Sequence, residues 1–228
     1  GDPFPSIASV TSTTSDGSYK IGSTINITVN FSEAVSLSSG GTMTVTLETG
    51  STDRTVSITS ISNATSASGT YTVEENDLSS DLTVKSISVA GTISDASDQA
   101  MVDFSIGANL ASSSAIVVDG VAPTVASVKS TSTNTTYGTG ASINITVNFS
   151  EAVSLSSGGS MTVTLNSATD RTVSITSISS ATSASGTYTV VEGDASSDLS
   201  VTTIALASGS LSDAAGNAMS SFSVPADS

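Results

Sequence analysis

The chain has 228 residues and a formal net charge of −15, with twenty acidic residues against five basic ones, and it contains neither Cys nor His. The absence of Cys and His excludes disulfides, thiolate or imidazole metal sites and every catalytic triad with a His base. Such an acidic surface repels phosphate backbones and anionic lipids, and no apolar run approaches the ~20 residues of a membrane-spanning helix. We therefore expect no nucleic-acid partner and no membrane insertion.

Short alternating segments follow one another from the N-terminus. In INITVNF (25–31), apolar and polar residues alternate, which predicts a strand with one buried face. No segment has sustained helical periodicity. The predicted strands of the first half of the chain lie near 7–13, 24–31, 42–48, 54–61, 68–74, 83–89 and 101–106, with a further run at 115–118.

This pattern predicts an all-β fold. Short strands separated by Gly, Ser and Asp turns are typical of an immunoglobulin-like antiparallel β-sandwich, with 101–106 and 115–118 as parts of one interrupted final strand. A parallel β-helix is the competing architecture, but the short internal repeat that it requires is missing from the sequence.

The second half of the chain repeats the first almost residue for residue. INITVNFSEAVSLSSGG occurs at 25–41 and again at 143–159, and DRTVSITSIS occurs at 53–62 and again at 170–179. This period is far longer than the ~20–50 residues of solenoid repeats, so each copy is expected to be a complete domain.

The boundary between the copies falls in VVDGVAPTV (117–125). Its Asp-Gly pair predicts a turn, and Pro123 suits the start of a strand because it cannot donate to a ladder. We predict two tandem immunoglobulin-like domains, residues 1–119 and 120–228. The first residues lack the pattern of a signal peptide and open directly into a domain, so we expect a fragment of a longer polypeptide.

Acidic residues recur at matched loop positions of the two copies. Because strand direction alternates in an antiparallel sandwich, the loops sort to its two ends. We place one acidic set, which follows Phe-Ser or precedes the final strand, in loops at one end, and the other set in the loop after the fifth strand, at the opposite end. The first set comprises Glu33, Asp95, Glu151, Asp213 and Asn217. The second comprises Glu75, Asp77 and Asp81 in the first copy and Glu192, Asp194 and Asp198 in the second copy, with Asp16 in another loop at the same end.

If two such domains stack head to tail, Asp77 and Asp81 face the acidic loops of the second copy, with Asp119 of the connecting segment between them. Carboxylates gathered in this way repel one another unless a cation compensates them. Calcium takes about six to eight oxygen ligands in flexible geometry, so we predict a structural calcium site. In the alternative interpretation, Asp and Asn before Gly, Ser or Ala form ordinary turns, and the glutamates are exposed charges at strand ends.

We expect no enzymatic activity. A glycosidase needs a cleft with paired carboxylates and usually aromatic sugar platforms, whereas this chain has no Trp and only 4% aromatic residues. Near-duplication also argues for mechanical repetition, since an active site gains little from an adjacent copy.

Several segments carry a family resemblance. They are YKIGSTINITVNFSEAV and YGTGASINITVNFSEAV, YTVEENDLSSDL and YTVVEGDASSDL, LSDAAGNAM, and VVDGVAPTV. Together they resemble the tandem immunoglobulin-like repeats of large bacterial cell-surface and adhesin proteins, and are similar to those of a cyanobacterial cell-surface protein associated with swimming. The resemblance covers both copies and implies calcium at domain junctions, where it rigidifies the array.

The first copy departs from this pattern. SDASDQAM replaces DAAGNAM, and Asp2-Pro3-Phe4-Pro5 replaces DGVAP. Glu151, which has a preceding copy in this chain, is therefore the stronger candidate ligand than Glu33.

The expected function is that of a non-enzymatic stalk segment of an extracellular, adhesin-like bacterial surface protein, stiffened by calcium. Its partners are neighbouring repeats of the same polypeptide. A second hypothesis is a module that binds a glycan, ice or a protein on a host or other surface, which needs a large exposed apolar or aromatic patch. A hydrolase needs a pocket of convergent carboxylates with shifted pKa values.

Overall fold

The computed structural model describes residues 3–226 and 228. In that part of the chain the regular structure is β-strand, apart from one 3-10 turn at Leu110–Ser112. The predicted all-β class is confirmed. The chain divides into two compact units, the first ending at Val121 and the second beginning at Ala122.

The first unit is built from short strands in three sheets. The sheet orders are β10-β1-β3-β6 with β9 added to β3, β5-β4-β8, and β2-β11-β7. The pairings are antiparallel except for β1 with β10 and β2 with β11, which are parallel. The strands are β1 (Ile7–Thr11), β2 (Gly17–Tyr19), β3 (Thr24–Leu37), β4 (Thr42–Leu47), β5 (Arg54–Ile58), β6 (Ala64–Thr72), β7 (Leu78–Ser79), β8 (Val84–Ala90), β9 (Ile93–Ser94), β10 (Ile106–Ala108) and β11 (Ile116–Asp119).

The second unit repeats the two larger sheets of the first. Their orders are β12-β13-β16, with β18 added to β13, and β15-β14-β17. Its described residues form no counterpart of β2, β7, β10 or β11. Its strands are β12 (Val125–Lys129), β13 (Ser142–Leu155), β14 (Ser160–Leu165), β15 (Arg171–Ile175), β16 (Ala181–Thr189), β17 (Val201–Ser208) and β18 (Leu211–Ser212).

Alternation along the strands builds each core. In β3 the side chains of Ile25, Ile27 and Val29 are fully buried, while the residues between them are only half-buried. They share one apolar cluster with Met43 and Val45 of β4, which belongs to the other large sheet. Successive side chains of a strand point to opposite faces, so the inward faces of two sheets form a sandwich-like core.

The prediction that the second strand ends at Phe31 is wrong. β3 continues through Glu33 to Leu37, and β13 continues through Glu151 in the same way. The reason is that β3 keeps its pairing beyond Phe31: it pairs with β6 up to Asn30, the register then shifts, Val35 pairs again with Ala64 of β6, and Ser36 and Leu37 pair with β9. Each glutamate therefore lies at an irregular bend within a strand, and the placement in a loop is corrected.

The interrupted final strand has a clear structural basis. β10 runs parallel to β1, and β11 runs parallel to β2, with the same sequence offset in both pairings. The two segments therefore follow an equally interrupted first strand. The predicted strand at 101–106 is wrong except for Ile106, because residues 101–105 form no strand and β10 begins only at Ile106. The sequence pattern misses β2, because three residues are too few to show a period.

Candidate functional site

Asp213 organises the turn that follows β18. Its Oδ1 accepts hydrogen bonds from the backbone N–H groups of Gly216 and Asn217, both over 2.8 Å, and its Oδ2 accepts one from Asn217 Nδ2 over 2.9 Å. Asp213 is 8% and Asn217 4% exposed. Gly216 has a φ of 98°, which glycine adopts without a steric penalty. The motif DAAGN thus forms a preorganised turn with a fixed carboxylate.

Glu151 brings a second carboxylate to this turn. It is half-buried at the bend of β13, and its carboxylate offers an oxygen within 4.8 Å of a carboxylate oxygen of Asp213. Calcium–oxygen bonds are about 2.3–2.6 Å long, so two oxygens on one ion lie at most about 5 Å apart. The structure therefore brings together two of the predicted ligands, within the second unit and at a spacing that one calcium ion spans.

Asp119 is the last residue of β11, near the end of the first unit. Its Oδ1 accepts a hydrogen bond from Val121 N over 3.1 Å, so the predicted Asp-Gly turn is present. Gly120 donates its N–H to Asp77 O over 2.7 Å, and its carbonyl accepts from Asn76 N over 2.8 Å. A Cβ on Gly120 would lie 2.3 Å from Glu74 O, so this contact requires glycine.

Asp77 has a different environment from the one expected of it. Its side chain is 1% exposed; Oδ1 accepts from Arg54 Nε over 2.8 Å, and Oδ2 accepts from Tyr71 OH and from Glu74 N. Arg54 also forms an ion pair with Glu74 over 2.8 Å. These contacts account for its burial inside the first unit, and its assignment as a metal ligand stays a prediction.

The second copy has the same arrangement around Asp194. Its Oδ1 accepts from Arg171 Nε over 2.7 Å, and its Oδ2 accepts from Tyr188 OH over 2.6 Å and from Val191 N over 2.9 Å. The Tyr188 hydroxyl, the Val191 N–H and the Arg171 guanidinium together lower the pKa of Asp194 to about 2. Burial and the nearby carboxylate raise the pKa of Tyr188.

Sequence reasoning missed this Arg–Tyr–Asp cluster. A signal was available, because the two Arg residues of the chain, Arg54 and Arg171, recur at the same position of the repeat, each with a Tyr and an Asp at repeated positions downstream. In a chain with so few basic residues, a repeated Arg indicates a buried partner.

The remaining predicted metal ligands, Asp95, Asp81 and Glu33, do not lie in a group of acidic side chains within the described part of the chain. Asp95 caps its own turn, accepting from Ser97 N over 2.8 Å and Gln99 N over 2.9 Å. Asp81 is exposed, and Glu33 is half-buried in β3. Within residues 3–226 and 228, no group of three acidic side chains close enough to share an ion contains Asp77, Asp81, Glu33 or Asp95. Asp2, part of the departure from the repeat pattern, lies outside the described residues.

The sequence matches no protein-family model and no curated protein. No helix formed by the described residues is long and apolar enough to cross a membrane.

Proposed function

We propose that this chain is a non-enzymatic segment of the stalk of an extracellular, adhesin-like bacterial surface protein, built from immunoglobulin-like repeats. Its work is to extend and present other parts of that protein. In this proposal a calcium ion takes Glu151 and Asp213 of the second unit as ligands, with the Asn217 amide beside them, and the sequence-predicted ligand Asp119 of the connecting segment gives it the role of stiffening the connection between repeats. The observation that carries this proposal is the fixed Asp213 carboxylate with Glu151 within 4.8 Å of it.

The ligand chemistry favours a hard cation. Carboxylate and amide oxygens suit calcium, whereas zinc and the softer metals prefer His and Cys, which this chain lacks. Two carboxylates at this spacing also repel each other, and a bound divalent ion relieves that repulsion. Asp213 is already immobilised by its turn, so binding costs little ordering entropy at that residue.

Asp119 gives the proposed site its mechanical role. It lies at the end of β11, just before the second unit begins. An ion that shares oxygens from Asp119 and from the second unit restricts rotation about the connecting residues. We therefore infer that calcium converts a flexible connection into a stiff one, and that its removal restores the flexibility.

The test is a thermal melt of the 228-residue chain in calcium and in chelator. Ligand that binds only the folded state stabilises it by about 2.7 kcal/mol at a 100-fold excess over Kd, so the midpoint should rise with calcium. Glu151→Gln should abolish the rise, whereas the matched variant Glu33→Gln should retain it. A midpoint unchanged at millimolar calcium contradicts the ion, and X-ray scattering that shows equal flexibility in calcium and chelator contradicts the stiff junction.

A further inference from the structure

The first and last strands of the first unit lie side by side and run in the same direction. β1 pairs in parallel with β10, and β2 pairs in parallel with β11, with the same sequence offset in both pairings. The chain therefore enters the unit at one end of these paired strands and leaves it at the opposite end. Tension applied to the two ends of the unit acts along the strands, so it loads their hydrogen bonds in shear.

β11, which carries the tension at the C-terminal end of the unit, is held on both sides. It pairs in parallel with β2 and antiparallel with β7. Gly17 N donates to Ala115 O over 3.1 Å, and Leu82 N donates to Ile116 O over 2.8 Å. The side chains of Ile116 and Val118 are almost fully buried. A pull on β11 must therefore break hydrogen bonds along two edges and withdraw two apolar side chains from the core.

β1, which carries the tension at the N-terminal end, is held in the same way. It pairs antiparallel with β3 on one side and in parallel with β10 on the other. The side chains of Ile7 and Val10 are buried in the core. A Cβ on Gly107 would lie 2.5 Å from Ala8 O, so the backbone of β10 lies directly against that of β1. Extending the unit from either end requires the shearing of a strand that has neighbours on both sides.

The direction of the last strand decides how such a unit responds to force. Hydrogen bonds loaded in shear share the force, so several must break together. If the last strand ran antiparallel to the first, both ends of the chain would lie at the same end of the pair. Tension would then peel the strands apart, one hydrogen bond after another. Because forced unfolding is governed by the unfolding rate, the shear arrangement raises the force that the unit withstands.

We propose that the first unit bears tensile load, with the β1–β10 and β2–β11 pairs as its load-bearing elements. This role goes beyond that of a stalk segment, because it assigns resistance to force to the hydrogen bonds of particular strands. It requires neither a bound ion nor a particular target surface.

The test is single-molecule force spectroscopy on the 228-residue chain in chelator. The chain has no Cys of its own, so engineered cysteines define where the force acts. Phe4→Cys with Val121→Cys applies the force along the strands. Ser15→Cys with Ser113→Cys applies it at the adjacent starts of β2 and β11, and so peels that pair. At one loading rate, we expect a clearly higher unfolding force for the first pair, with a gain in length of roughly 400 Å.

A proline variant provides a second measurement. Val117 is half-buried, and Val117→Pro removes a backbone N–H from β11. Pulled from positions 4 and 121, this variant should unfold about tenfold faster or more at a given force. The matched variant Val89→Pro changes an equally half-buried valine on β8, at the edge of the β5-β4-β8 sheet, and should unfold at nearly the original rate.

Circular dichroism melts establish which variants fold, and the comparison of pulling directions stays decisive if Val117→Pro does not. Equal unfolding forces in the two directions overturn the proposal, and so does equal acceleration by the two proline changes. Since the measurements are made in chelator, failure here leaves the calcium site unaffected, and a melting midpoint that does not respond to calcium leaves the load-bearing role unaffected.

Discussion

Arg171 donates its Nε–H to Asp194 Oδ1 over 2.7 Å, and the carboxylate is only 2% exposed. The pair connects the start of β15 to the loop that follows β16, and Tyr188 completes it through Oδ2. The first unit contains the same pair as Arg54 and Asp77. Because the Arg–Asp pair is present in both copies, it is a structural element of the repeat. The stability of the fold should depend on pH through the carboxylate of this pair.

Acid should destabilise the second unit through Asp194. The folded-state pKa of Asp194 is lowered from its ordinary value of 3.8 to about 2, so the stabilisation is complete above about pH 4 and is lost as the pH falls towards 2. Thermal melts between pH 7 and pH 2 should show this loss. Asp194→Asn should be less stable at pH 7 and should show a smaller change in that window. Asp198→Asn, an exposed change on the same loop, should behave as the unsubstituted chain, and equal pH profiles for all three contradict the assignment.

Alkaline pH should act on the same cluster through its tyrosine. Burial and the Asp194 carboxylate raise the pKa of Tyr188, so the folded state favours the protonated phenol. This contribution to stability is present below about pH 10 and is lost as the pH rises above the ordinary tyrosine pKa. Burial and the Asp77 carboxylate raise the pKa of Tyr71 in the first unit as well. Spectrophotometric titration of phenolate absorbance should therefore show two tyrosines ionising later than the free amino acid, and Tyr188→Phe should remove one of these two late steps. If every tyrosine ionises at the pH of the free amino acid, the prediction of a raised tyrosine pKa is wrong.

The sequence predicts the features that neighbouring residues determine, and it misses those that depend on contacts between residues far apart in the chain. Alternation in 25–31 and its repeat predicts the central strands, because one buried face requires a period of two. The bend at Glu33 is not predicted, since it arises from a register shift between Asn30 and Val35 in the pairing of β3 with β6, a strand that is distant in the sequence. β2 is missed for a similar reason: it exists through pairing with β11, nearly the whole first unit away.

The candidate site shows the same division. The turn at Asp213 follows from local chemistry, and its Gly216 and Asn217 are typical turn residues. The proximity of Glu151 follows from the extended β13, whose far end pairs with β18 immediately before Asp213. The Arg171–Asp194 pair joins residues that are close only in the folded chain, so neither position alone indicates it.

Asp213→Asn should distinguish the role of Asp213 in the turn from its proposed role as a calcium ligand. An asparagine Oδ1 still accepts from Gly216 N and Asn217 N, but its Nδ2 cannot accept from Asn217 Nδ2. We expect a loss of about 1 kcal/mol in chelator, the value of one such hydrogen bond. Calcium affinity, measured by titration calorimetry, should fall at least tenfold because a charged ligand is lost. An unchanged calcium affinity means that Asp213 only forms the turn.

Gly216→Ala should destabilise the second unit without removing any side-chain contact. Gly216 has a φ of 98°, whereas Asp98 near the equivalent turn of the first unit has a φ of 62°. A side chain at such positive φ costs about 1–2 kcal/mol, and Asp or Asn tolerates it better than Ala does. Denaturant unfolding should therefore rank Gly216→Ala below Gly216→Asn in stability. The reverse order contradicts the steric account.

Gly186→Ala should reveal how closely β15 and β16 approach each other. A Cβ on Gly186 would lie 2.3 Å from Val173 Cγ1, and the first copy has the same approach between Gly69 and Val56. Since overpacking typically costs about 1–3 kcal/mol, Gly186→Ala should lower the free energy of unfolding by that amount. Val173→Ala removes the obstructing methyl groups, so the double variant should lose less than the sum of the two single changes. Additive losses in this double-mutant cycle mean that the two residues do not meet.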